Sequence, residues 1–221
     1  MAEPFLTAGP LGATLLRLNP WAGSQPHALR PARRAAALAR LAAGTSAWNA
    51  WAQAMLRLRE PLVDEPAGLA VWQVLAGIDF ADEAFPDVVD MAGCIFPGDV
   101  CFDGAAFSGD VWFNMARFCG KASFRQARFD GDASFDRCRL IGDADFGEAH
   151  FGRSAEFRAV ETHGALDFVE ADFDRDAWFR GSRFGGPVRF SGACFSGEAG
   201  FGPCFSAGPA HSEAPQFEDN A

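Results

Sequence analysis

Carboxylates one residue apart are the grouping in this chain with the clearest chemical potential. Asp143 with Asp145, and Asp172 with Asp174, have the types needed for paired acid and base work. Such work needs a concave, partly dry site that moves pKa values apart. The histidines His27, His150, His163 and His211 are scattered. There is no Ser-His-Asp order, glycine-rich phosphate loop or Walker motif. Six cysteines, Cys94, Cys101, Cys119, Cys138, Cys194 and Cys204, form no C-x-x-C pair and no Cys/His zinc spacing. They read as reduced thiols. The sequence assigns no catalytic residue, no cofactor and no metal site, and predicts a non-enzymatic protein.

The elements around these residues are set by phenylalanine. From Phe96 to Phe201 a Phe, replaced only by Leu140 and Thr162, recurs at alternating steps of five and six, so the true repeat is eleven residues. Two residues before nearly every Phe sits a small or β-branched residue, such as Val100, Ala105, Val111 and Ala116. The residues between and after are mostly Asp, Arg, Gly, Ser or Glu. Positions i and i−2 therefore face inward and the rest face outward, which is strand alternation broken by a turn every few residues. A helix fits poorly, because a five-residue step turns successive rings about 140° apart. Self-similarity at a fixed period marks a solenoid.

The unit Ala-(Asp/Ser)-Phe plus two variable residues, as in Ala122-Ser123-Phe124-Arg125-Gln126 and Ala133-Ser134-Phe135-Asp136-Arg137, resembles the pentapeptide-repeat family. The segment Ala47-Trp48-Asn49-Ala50-Trp51 also resembles a Trp-Asn-x-Trp stretch found ahead of the repeats in some members. The resemblance implies a mainly β fold, a right-handed quadrilateral β-helix with one repeat per side and Phe on the axis. Two elevens make a coil of 22 residues rather than 20. About six coils are expected, stacked about 4.8 Å apart. The extra residue is expected at the six-residue corners, where glycines such as Gly109, Gly131 and Gly142 permit a positive φ. Four inward files follow, among them Phe96, Phe118, Leu140, Thr162 and Phe184.

Residues 1–77 are predicted to be a helical region and cap, 78–206 the β-helix, and 207–221 a flexible acidic tail. Helices are expected over Pro31–Ala43 and from a Ser46 cap to Pro61, with a third apolar run at residues 68–76 as the candidate cap. The start lacks a basic n-region and no run reaches 18 apolar residues, so a cytoplasmic protein without membrane contact is expected.

The net charge is −10. That excludes a general nucleic-acid binder, which needs a basic stripe. The candidate interaction surface is made of outward residues: Trp112 and Trp178 in one file, and Arg117, Arg139 and Arg183 in another with Glu161. Arg128, His150 and Asp172 fall on the opposite side, and Cys101 and Cys194 also point outward. The expected function is a protein-interaction scaffold whose flat faces meet a protein partner. The alternative, implied by the resemblance, is a DNA mimic that binds a type II topoisomerase and protects gyrase. An uncovered last coil is expected to stack end to end with a second copy as a homodimer.

Overall fold

The computed structural model describes residues 30–206 and 216–217. Three helices, α1 (Arg30–Ala42), α2 (Thr45–Arg59) and α3 (Pro66–Ala76), precede a β-solenoid of two-residue strands. The strands build four parallel sheets of six, seven, six and six members, the four faces of a rod. Every register partner is 22 residues away, as in Ile78↔Val100, Arg128↔His150, Ala133↔Ala155 and Leu140↔Thr162. Two elevens therefore close one coil. The sheets that contain Ile78, Ala84, Val89 and Ile95 are called here the first to fourth faces.

The faces are not equivalent. On the first and third, the strand holds the small inward residue and its outward neighbour, as in Val100–Cys101 and Val111–Trp112. On the second and fourth, the strand holds the outward residue and the Phe, as in Ala106–Phe107 and Arg117–Phe118. The rings stack along the axis: Phe102 on Phe124 at 4.9 Å, Phe124 on Phe146 at 4.7 Å, Phe135 on Phe157 at 4.9 Å. Neighbouring files meet edge to face, for example Phe124 against Phe135 at 88°. Both arrangements suit the aromatic quadrupole.

The corners differ from the sequence expectation. Positive φ does not occur at Gly109, Gly131 or Gly142. It occurs every eleven residues at the five-residue corners, from Asp82, Gly93, Gly104 and Met115 through to Gly181 and Gly192. There the residue three after the Phe donates back to its carbonyl, as in Ala105 N to Phe102 O at 3.0 Å, closing a turn that needs φ > 0 at its third position. Seven of these residues are not glycine, including Gln126 and Arg137. Bonding between coils offsets their strain: Gln126 N donates to Gly147 O at 3.0 Å and Arg137 N to Arg158 O at 2.8 Å.

Glycine serves the wide corner for another reason. A Cβ on Gly142 would lie 2.5 Å from Gly120 O and 2.6 Å from Gly120 C in the coil beneath. Gly98, Gly120, Gly142, Gly164 and Gly186 stack at this corner, where backbone meets backbone. The opposite wide corner carries Arg153 and Arg175 in its column and so accommodates a Cβ in those coils. Gly142→Ala is expected to destabilise by about 1–3 kcal/mol, read as a lower urea midpoint. The aspartate after the glycine holds the extra peptide: Asp99 Oδ1 accepts Lys121 N at 2.9 Å, and Asp143 Oδ1 accepts Ala165 N at 3.0 Å.

Two inward positions are polar, and Ser182 is satisfied, donating to Phe157 O at 2.8 Å and accepting from Val160 N at 3.0 Å. Thr162, in the file between Leu140 and Phe184, is 3% exposed and its Oγ1 has no hydrogen-bond partner. Thr162→Val keeps the shape and removes the unsatisfied hydroxyl, so a gain of about 1–2 kcal/mol is expected. A melting temperature unchanged or lowered would show that the hydroxyl is satisfied.

The cap is α1 with α2, not the helix at residues 66–76. Trp48, fully buried, packs edge-on against Phe96 at 5.4 Å and donates its indole N–H to Ile95 O at 2.8 Å. Asn49 accepts from Ile95 N at 2.8 Å and donates to Gly93 O at 2.9 Å. These contacts supply the edge strand with the partners that a preceding coil would otherwise give. Helix α3 packs on α2 in a separate cluster with Met55, Leu62 and Trp72. Gly44, at φ 88°, rather than Ser46 occupies the α2 N-cap. The arginines of α1 meet the acidic run at the start of the rod. Arg30 and Arg34 pair with Asp79, and Arg34 pairs with Glu83 at 3.3 Å. Burial raises the Asp79 pKa, but Arg30, the Ala81 N–H and Arg34 outweigh it and hold the carboxyl below its usual range. The readings made for residues 1–29, and most of those for 207–221, lie outside the described residues; Gln216–Phe217 adds a strand to the second face beside Cys194–Phe195.

Candidate functional site: two adjoining outer faces

Outward residues are held by strands whose inward neighbours are locked in the Phe core. On the third face the outward file reads Asp90, Trp112, Ser134, Glu156, Trp178 and Gly200. On the fourth it reads Ile95, Arg117, Arg139, Glu161 and Arg183. The five candidate residues thus occupy two faces that share the corner line through Met115 and Arg137. Three coil spacings, about 14 Å, separate the two tryptophans.

Neither tryptophan stands free. Both are half-buried. A Cβ on Gly200 would sit 2.2 Å from the Trp178 ring, so that ring lies over the next coil, with the Arg180 guanidinium 5.7 Å from its centroid. Between the tryptophans runs a polar chain. Asn114 Nδ2 donates to Ser134 Oγ at 2.9 Å, and Ser134 Oγ donates to Glu156 Oε2 at 3.2 Å. Arg158 then binds Glu156 at 2.7 Å and Asp136 at 2.9 Å. Ser134 is 1% exposed although it points away from the axis. On the fourth face Arg139 pairs with Glu161 at 3.1 Å, while Arg117, Arg139 and Arg183 remain exposed.

Alternation and the 22-residue period locate all of these residues. Sequence reasoning does not reach the Asn114–Ser134–Glu156–Arg158–Asp136 network. Its signal is the placement of polar residues at offsets of 20 and 22, between neighbouring coils.

Folding also sorts the charge. Between Ile78 and Ser206, the first and second faces with the corners that follow them carry sixteen acidic against five basic side chains. The third and fourth faces with their corners carry six against seven. One half of the rod is strongly negative and the other is close to neutral.

The Asp143 and Asp145 pair is structural. Asp143 Oδ1 holds a backbone N–H of the next coil, and Asp145 Oδ1 holds Gly147 N at 2.8 Å. Burial pushes the Cys94 and Cys101 thiols up to about 11 and raises Cys119, Cys138 and Cys204 as well. These five sulfurs are protonated at neutral pH, which leaves them poor nucleophiles.

The family model for pentapeptide repeats (9 copies) matches residues 92–139, 121–161 and 163–204. The chain belongs to the pentapeptide-repeat family. No curated protein and no solved structure shows significant similarity to it. This pentapeptide-repeat protein is a four-faced solenoid of about 22 residues per coil. Among its described residues no helix is long and apolar enough to cross a membrane.

Proposed function

We propose that this protein is a non-enzymatic scaffold that docks a protein partner on its third and fourth faces. The observation that carries the reading is the sorting of charge. The half of the rod with little net charge is also the half with Trp112, Trp178, Arg117, Arg139 and Arg183. Interface centres are depleted in Lys, Asp and Glu and enriched in Trp and Arg. A ladder bonded at every coil presents these groups on a surface that needs no ordering on contact.

The triple variant Arg117→Glu, Arg139→Glu, Arg183→Glu tests this in affinity capture from the native cell. These side chains are outward, so the circular dichroism spectrum should match the wild type, with a lower melting temperature because Glu161 loses its Arg139 partner and gains like charges on the adjacent coils. Loss of the captured protein is expected. Unchanged capture by this variant, with loss on Asp145→Lys and Asp167→Lys of the first face, would place docking on the acidic half and sink the proposal.

The acidic half favours a second reading, mimicry of duplex DNA toward a type II topoisomerase. Two adjoining faces with sixteen acids resemble a polyanionic rod more closely than the whole chain does. Inhibition of gyrase supercoiling by micromolar protein supports it, and absence of any effect removes it. We further propose that two copies pair at the last coil, where strands Val188–Arg189 and Ala199–Gly200 have no following partner among the described residues. A monomeric mass by light scattering would remove that pairing.

A further inference from the structure

We propose that His150, Asp172 and Asp174 form a zinc-binding site on the second face. His150 and Asp172 are register partners on adjacent coils. Alternation turns Asp174 outward again, directly above Gly152, which places no side chain between it and His150. One ligand atom from each residue lies within 4.8 Å of the other two.

The His150 Nε2 to Asp174 Oδ2 distance is 3.5 Å. That is too long for a good hydrogen bond. It is close to the roughly 3.4 Å between two ligand atoms that share a tetrahedral zinc with bonds of about 2.1 Å. Nor is the imidazole committed elsewhere, since Nδ1 is screened from solvent and has no hydrogen-bond partner. In the coil beneath, Arg128 closes instead on Asp130 of its own coil, at 2.6 Å. That pairing also removes the nearest cation in the file from competition for the carboxylates.

An imidazole with two carboxylates suits zinc among the common divalent ions, and three protein ligands leave one position for water or a partner's side chain. Cys194, next in the file, has its sulfur turned toward Gly192 O at 3.9 Å and stands outside the set. Bound zinc would tie two coils together from outside, so it should raise the melting temperature.

The test is titration of the full chain with zinc chloride by calorimetry, and with cobalt chloride followed by visible absorption. One zinc per chain is expected. His150→Ala and Asp174→Asn should each weaken it about tenfold or more, while His163→Ala, at a wide corner, leaves it unchanged. Zinc should raise the melting temperature of the wild type but not of His150→Ala. Asp174→Asn preserves size and shape, so it reads the site even if the histidine variant folds poorly. No heat at millimolar zinc, or equal binding by the wild type and Asp174→Asn, would overturn the assignment.

Discussion

Phe124→Ala is expected to cost about 3–5 kcal/mol and to divide the cooperative unfolding of the rod. Phe124 is fully buried between Phe102 and Phe146, stacked at 4.9 and 4.7 Å. It also meets Phe113 at 5.6 Å and Phe135 at 5.4 Å edge to face. The ladder holds the backbone at fixed coil spacing, so the cavity cannot collapse along the axis, and the larger end of the range applies. Because only neighbouring coils touch, one weakened coil uncouples the halves. Urea unfolding should show a lower midpoint and either a smaller slope or two transitions. Phe201→Ala provides the comparison. Phe201 is half-buried, with Phe179 stacked beneath it at 5.0 Å. Its loss should cost roughly half as much. Equal losses at the two positions would show that axial stacking does not set the stability.

Trp48→Ala is expected to cost a similar amount, about 3–5 kcal/mol, but with a local signature. Truncation uncovers Phe96 and leaves the carbonyl of Ile95 without the indole N–H. Trp48→Phe retains most of the ring and loses the hydrogen bond alone, at about 1–2 kcal/mol. Asn49→Ala should lie between, since it removes both a donor to Gly93 O and an acceptor for Ile95 N. Hydrogen exchange would locate the effect. Protection should fall in residues 78–99 and persist in the coils beyond them. Loss spread evenly along the rod, or none in the first coil, would show that α2 is not what closes this end.

The Trp-Asn pair illustrates how far the sequence reaches. Trp48, Trp51, Met55 and Leu58 mark an apolar helix face by spacing alone. That Trp48 turns to the rod while Met55 turns to α3 depends on where the helix lies over the coil. The apolar run at residues 68–76 looks equally able to cap, and its burial beneath α2 comes from packing that no local pattern encodes. Likewise the basic start and the acidic run after it are visible in the sequence, but their meeting through Arg30, Arg34, Asp79 and Glu83 is not.

The corners separate the two kinds of information again. Glycine at residues 109, 131 and 142 suggests a positive φ, the commonest reason for the residue. The structure assigns the positive φ to the five-residue corners, to Asp82, Gln126 and Arg137 as well as to Gly93 and Gly104, and uses the glycines at residues 109, 131 and 142 for contact between coils. A single chain of letters cannot distinguish these uses, because the second depends on an atom 22 residues away.

By itself the sequence determined the coil of 22 residues, the inward files of Phe and small side chains, and the outward file to which each candidate residue belongs. These follow from a pattern that is local and repeated many times, so each copy reinforces the rest. Only the tertiary structure decided which helices cover the first coil, which corners take a positive φ, and how near His150 comes to Asp172 and Asp174. Those depend on distances between segments far apart in the chain, set by packing and side-chain torsions that residue order does not record.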